Sequence, residues 1–320
     1  MLSPDIRVLN FDDSLLKQKN LIDRFHPKIV DLKDLVPVSR LWLNSKNAKR
    51  IELQLAPGLK NAITFLGSGD FHHVSGILLK QFTDPISLII FDNHPDWDIL
   101  PPKLGCGSWV SLVLKQPNIK NVVILGVSSQ DLSSPLIYSG NLSSLKDDRV
   151  RIYPYSHSFT RVNFRKIPEN QSIKVVRGLF SSRIEWQELK GKDLKEFLRP
   201  VFNELSIKKA YISIDKDCLK PEYALTNWED GNFKLSELLE ILSLIKENLD
   251  IAGVDITGEY SMPVARGLIR NIGMNLDHPR FFSARDKQDR EVDSVNEKTN
   301  LAILNMLWGQ NYFSSNRAEK

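Results

Sequence analysis

Asp92, His94, Asp96 and Asp98 recur at steps of two in the stretch Ser87-Leu-Ile-Ile-Phe-Asp-Asn-His-Pro-Asp-Trp-Asp98. Carboxylates and imidazoles in such a run are the side chains that hold divalent metal ions. The apolar run from Leu88 to Phe91 suits a strand buried on both faces. Pro95 bars helix where the charges cluster. On extended backbone at a strand's end, residues two apart point the same way, so Asp92, His94 and Asp96 can converge. Buried carboxylates brought together repel and desolvate one another unless a cation lies among them. The competing reading is an Asp/Asn/Pro-rich surface turn.

A second cluster follows the same design. In Tyr211-Ile-Ser-Ile-Asp-Lys-Asp-Cys-Leu-Lys-Pro221, Asp215 and Asp217 sit two apart at the end of an apolar run. Alone they read equally well as a helix cap and a turn. Joined with Asp92, His94 and Asp96 they complete a ligand set for two ions, and oxygen donors with imidazole suit manganese or a similar divalent metal. Two ions roughly 3.5–4 Å apart would hold and acidify a water between them. The third cluster, Gly67-Ser-Gly-Asp-Phe-His-His73, turns on its glycines after a strand and adds an imidazole, His72 or His73. A His-His pair at a helix start is also a common surface feature.

Positioning these groups requires a sheet. Strands are predicted over 6–10, 28–32, 62–66, 87–91, 121–126, 150–155, 210–214 and 251–256. Helices are predicted over 14–25, 38–61 (ending at Pro57-Gly58), 74–82, 109–115, 193–205, 234–249 and 295–307, before a frayed tail from Tyr312 to Lys320. Residues 140–185 hold one strand and a polar, basic stretch. Alternating strands and helices specify a mostly parallel sheet covered on both faces, with ligands beyond the strands' carboxyl ends. No linker or repeat interrupts the pattern, so residues 1–320 read as one α/β domain.

Composition narrows the partners. Hydrophobic content is 42%, charged content 26% and net charge +4 over 320 residues. Such a charge, well mixed, is no nucleic-acid footprint. Cys106 and Cys218 make no metal-binding or disulfide spacing. No signal peptide or membrane-length apolar run is evident, so a cytoplasmic protein without a membrane partner is expected.

The order Gly-x-Gly-Asp-x-His, Asp-x-His-x-Asp, Ser-x-Asp-x-Asp…Pro resembles the arginase/agmatinase/formiminoglutamase (ureohydrolase) superfamily from about residue 62 to 308, residues 1–61 being divergent. The resemblance implies a three-layer α/β/α fold with an eight-stranded sheet. It implies two Mn²⁺ ions on Asp92, His94, Asp96, Asp215, Asp217 and one of His72 and His73. It further implies attack of a metal-bridging hydroxide on a guanidino-type carbon, releasing an amine. Glu259, in the place of the family's acidic residue for the cationic group, joins Asp96 and Cys106 as a candidate catalytic residue. Cys106 stands where a proton-shuttling histidine is common, and it also suits a small filler in a glycine turn. The competing reading of Glu259 is a solvated loop residue, while Asp255, inside an apolar strand, is expected to support the site rather than contact substrate.

Other departures concern the substrate. Asp98 falls where arginase-like members place a neutral amide for the substrate carboxylate, and a carboxylate there would repel one. This argues against arginine and for a small molecule that is cationic or neutral at that end. Asp131 sits about where the family recognises an amino group, and Thr226 and Trp228 lie in a reshaped pocket loop. The alternatives are a deacetylase- or amidohydrolase-type enzyme on the same fold, or a metal-binding regulator without turnover. Family members often form trimers or hexamers, so a homo-oligomer is compatible with the resemblance.

Overall fold

A computed structural model describes residues 5–55, 61–100, 104–262, 272 and 289–308. Thirteen strands are numbered in chain order: β1 (Asp5–Asn10), β2 (Lys28–Asp31), β3 (Trp42–Leu43), β4 (Ala62–Ser68), β5 (Ile86–Phe91), β6 (Leu104–Gly105) and β7 (Ile119–Leu125). They continue as β8 (Val150–Tyr153), β9 (Thr160–Asn163), β10 (Ile173–Arg177), β11 (Ser181–Trp186), β12 (Lys209–Asp215) and β13 (Asp250–Glu259). Eight of them form one sheet in the order β2-β1-β4-β13-β12-β5-β7-β8. Every neighbouring pair in it is parallel, where the sequence specified mostly parallel.

The continuous apolar runs follow from burial on two faces. In β5, Leu88 and Ile90 join one core, while Ile89 and Phe91 join the other. The first core is covered by helices 45–54 and 109–113, through Ala48, Ile51, Trp109, Val110 and Val113. The second is covered by helices 194–203, 235–248 and 289–308, through Leu198, Phe202, Ile241, Ile245 and Ile303. The result is a three-layer α/β/α arrangement, and all of these apolar side chains are removed from water, the dominant favourable term in folding.

Two expectations change. The helix expected over 38–61 is divided into the end of a short helix, Val36–Ser39, and a longer one, Ser45–Gln54, which Asn44 caps by accepting a hydrogen bond from the Asn47 amide at 2.8 Å. Before it, β3 pairs with β6, a contact distant in sequence that local periodicity cannot register. Pro57-Gly58 and the tail from Tyr312 lie outside the described residues. Residues 150–186 hold not one strand but β8 and the antiparallel sheet β10-β11-β9. The apolar residues its short strands bury are Val162, Ile173, Val175, Ile184 and Trp186, too sparse a pattern to stand out.

Candidate metal centre

Four adjacent strands of the sheet, β4, β13, β12 and β5, end at one place, and the clusters from the sequence lie there. The convergence is made by turns rather than by extended alternation. After β5 the Asp92 carboxylate accepts the His94 amide at 2.7 Å, closing a local turn, and Asp96 takes a left-handed φ of 48°. After β12, Asp215 caps a single 3₁₀ turn by accepting the Asp217 amide at 3.1 Å.

His72 is the imidazole that enters the site. Phe71 stacks on Phe11 with ring centroids 4.3 Å apart, and the Arg40 guanidinium lies over its face. That anchors the 3₁₀ turn 69–74 and aims the next residue at the ligands. His73 is buried but belongs to neither group of metal-binding side chains and does not line the cavity, so the choice left open by the sequence falls on its neighbour.

Among the described residues, two groups of side chains lie close enough to hold a metal ion: His72, Asp92 and Asp96, and Asp92, His94 and Asp217. Asp92 belongs to both, so its carboxylate stands between two centres. His72 Nδ1 lies 3.1 Å from Asp92 Oδ2, 3.1 Å from Asp96 Oδ2 and 3.5 Å from Asp215 Oδ2. His94 Nδ1 lies 3.0 Å from Asp217 Oδ2. On the far side of His72, Nε2 meets the Ser213 hydroxyl at 2.8 Å, and that hydroxyl donates to Asp255 Oδ1 at 2.7 Å. A hydroxyl has one proton; spent on Asp255, it leaves Ser213 to accept from His72, which assigns the ring hydrogen to Nε2. In the neutral form that a metal ion requires, His72 then points the Nδ1 lone pair at three carboxylates, which in the metal-free protein hold a proton there instead. Both Nδ1 and Asp92 Oδ2 are buried, and once that proton is gone neither has a hydrogen-bond partner among the described residues. Orphaned lone pairs facing one another are what a cation relieves, and oxygen and imidazole donors suit hard-to-borderline divalent ions. The residues fit two such ions, and Asp255 acts through Ser213 as expected.

The electrostatics carry the same signature. Burial alone would push the His72 and His94 pKa values down, yet the facing carboxylates, Asp92 and Asp96 for one and Asp217 and Asp92 for the other, hold both well above the ordinary value. Burial would raise Asp92, but the two imidazoles keep it below the usual carboxylate range. Asp96, buried and beside charged Asp92, is pushed up to about 8. Burial and the neighbouring Asp217 hold Asp215 well up, and burial with Asp92 raises Asp217. Carboxylates crowded to this degree compete for positive charge.

A cavity of about 250 Å³ opens onto these groups. Asp98, Asp131, Cys106 and Trp228 line it, and among its described lining residues none is Lys or Arg. Burial and the charge of Asp131 raise the Asp98 pKa against a hydrogen bond from Ser139 at 2.7 Å. Thr226 does not line the cavity; its hydroxyl accepts the Trp228 amide at 3.1 Å and so shapes the loop that presents the indole.

A family model described as the Arginase family matches residues 15–266. The chain belongs to the arginase family. An uncharacterised protein from Thermotoga maritima is 27% identical over 259 residues, 81% of each chain. Arginase from Bacillus subtilis superposes with a TM-score of 0.57 at 13% identity, covering 97% of this chain and 99% of its own. A hypothetical agmatinase from Burkholderia thailandensis gives 0.52 at 14%, covering 95% and 85%. These structural likenesses concern the fold.

Within this arginase-family chain, Glu259 is placed otherwise than the resemblance implied. It is buried at the end of β13 and does not line the cavity. Its carboxylate pairs with Lys216 Nζ and accepts hydrogen bonds from Gln18 at 2.9 Å and Asn300 at 2.7 Å. Lys216, buried between Asp215 and Asp217 in sequence, escaped sequence reasoning, although a lysine ending an apolar strand was a signal that it needed a buried partner. Arg40 also went unnoticed. Its guanidinium forms a fully buried pair with Asp70, whose other oxygen accepts Trp228 Nε1 at 3.0 Å. Asp70 thereby holds one wall of the cavity. Trp109 Nε1 donates to Asp96 at 2.7 Å and fixes that ligand from behind.

Proposed function

We propose that the protein is a two-metal hydrolase cleaving the C–N bond of a small linear amide, amidine or guanidine that carries a positive charge away from the reacting end. The single observation that carries this reading is the pair of interlocking groups sharing Asp92, with the His72 lone pair aimed at three carboxylates. Two divalent ions, manganese being the family's usual choice, would supply acidification of a water and charge stabilisation at the attacked carbon. His72, Asp92, Asp96 and Asp215 would hold one ion; Asp92, His94, Asp215 and Asp217 would hold the other.

The chain's own residues do the rest. Asp98 and Asp131, both outside the two groups, offer negative charge where the cavity contains no Lys or Arg among the described residues. That favours an ammonium-bearing end and disfavours the α-carboxylate of arginine. Trp228 supplies an apolar wall, its indole edge-on to His94 with centroids 5.5 Å apart. Asp96, which belongs to one of the two groups only, is the carboxylate assigned to take up a proton at the reacting centre.

Within the substrate class, the position of Glu259 supports a neutral amide over a guanidinium as the reacting group. Its charge is met by Lys216, Gln18 and Asn300 and is not offered to the cavity. This brings the amidohydrolase reading forward. Cys106, lining the cavity, is available as a wall group.

Metal analysis of protein purified with Mn²⁺ tests the centre, with about two equivalents expected from the two-ion reading. A panel of amine-terminated amides, amidines and guanidines, followed by release of amine, ammonia or urea, tests the reaction. Fewer than two bound ions would overturn the mechanism. Two ions with no turnover on the whole panel would favour a binding role instead.

A further inference from the structure

The antiparallel sheet β10-β11-β9 takes no part in the metal centre. Its inner face is anchored in the core by Val162, Ile173, Val175, Ile184 and Trp186. Its outer edge ends in an arrangement that folding alone would not favour. Phe164 is 85% exposed, Leu179 89% and Phe180 66%. Phe164 and Phe180 are neighbours, with ring centroids 6.3 Å apart and the Phe164 amide donating to the Phe180 carbonyl at 3.0 Å. Phe164 also has a φ of 54°, a left-handed conformation that costs a bulky residue energy. Strained backbone therefore holds an aromatic ring out in water.

Cations surround these apolar tips. Arg165, Lys166 and Arg177 border the same shallow pocket as the three apolar residues. On the adjoining face Arg161 and Arg183 are directly opposed across β9 and β11, a like-charge pairing that destabilises a sheet. Glu169 and Glu185 answer only part of this charge, lying against Arg177 and Arg183.

We propose that this tip docks on an anionic lipid bilayer, with Phe164, Leu179 and Phe180 entering the interfacial layer and the arginines and lysine meeting the headgroups. Exposed apolar groups ringed by cations match the two attractions of such a surface, burial of apolar area and charge. A second copy of the chain docking by the same patch would set cation against cation across the twofold axis. A hydrated acidic protein would satisfy the cations and leave the apolar tips in water. No described helix is long and apolar enough to cross a membrane, so the association is superficial. It departs from the sequence's expectation of no membrane partner.

Co-sedimentation of the full-length protein with phosphatidylcholine vesicles, alone or with about 30 mol % phosphatidylserine, tests this. Binding is expected only with the anionic lipid and is expected to weaken as salt rises. The triple variant Phe164→Ser, Leu179→Ser, Phe180→Ser should bind at least about tenfold more weakly. Arg165→Glu with Lys166→Glu and Arg177→Glu should abolish binding. All six side chains are exposed, and circular dichroism confirms the fold of each variant. Equal binding to neutral vesicles, no binding, or variants that bind like wild type would each overturn the proposal. So would an oligomer, seen by light scattering, that the serine variant dissociates, or patch-dependent binding to soluble polyglutamate without binding to vesicles.

Discussion

Replacing Ser213 by alanine isolates the relay behind the metal centre. The wild-type hydroxyl bonds His72 Nε2 at 2.8 Å and Asp255 Oδ1 at 2.7 Å, and the serine is fully buried. Its removal strands a ring N–H and a carboxylate oxygen where water does not reach. Each stranded group costs about 1–3 kcal/mol of stability. The ring also loses the bond that fixes its orientation and its hydrogen on Nε2. Losing such a bond behind a metal ligand lowers metal affinity by about 10- to 100-fold, or about 1.4–2.7 kcal/mol. Calorimetric titration of metal-free protein with Mn²⁺ reads the affinity, and thermal melts of the same samples read the stability. Ser213→Thr keeps the hydroxyl and adds a methyl to a packed strand, so it should melt lower, by about 1–3 kcal/mol, yet bind metal like wild type. Wild-type metal affinity in Ser213→Ala would refute the reasoning, because the hydroxyl would then be holding the strand together and not the ligand.

The metal-free protein should lose stability as pH rises from about 6 to about 8, because His72, His94 and Asp96 have raised pKa values and bind more protons folded than unfolded over that range. Mn²⁺ affinity should rise over the same range, since binding displaces those protons; melts with and without chelator check both signs. Glu259→Gln leaves Lys216 buried with its charge uncompensated and should destabilise by about 3–5 kcal/mol in urea titration while two-ion stoichiometry is kept. Asp98→Asn should raise KM for amine-terminated substrates by about tenfold with a small change in kcat, whereas an equal fall in kcat would place Asp98 at the reacting end instead.

Much of the site is legible in the chain because ligand chemistry and strand ends are local properties. Leu88 to Phe91 are apolar on both faces and Tyr211 to Ile214 are so apart from Ser213, and the carboxylates that follow must lie at the end of a buried strand, which is where β5 and β12 place them. The spacing of two was a sound guide for a different reason than expected. Asp92 to Asp96 converge through a closed turn and a left-handed residue, not through extended alternation.

Sequence by itself determined the parallel α/β architecture and the composition of the metal-binding clusters, since burial on two faces and donor chemistry are written in residue type. Tertiary structure alone decided which histidine faces the ligands, because the packing of Phe71 on Phe11 sets the phase of that turn. It also decided that Glu259 belongs to Lys216, because a buried carboxylate goes to whichever cation the fold brings within reach, and the two residues are 43 positions apart. Which strand ends meet is a matter of sheet order, and the β4-β13-β12-β5 order is made by contacts that no local pattern encodes.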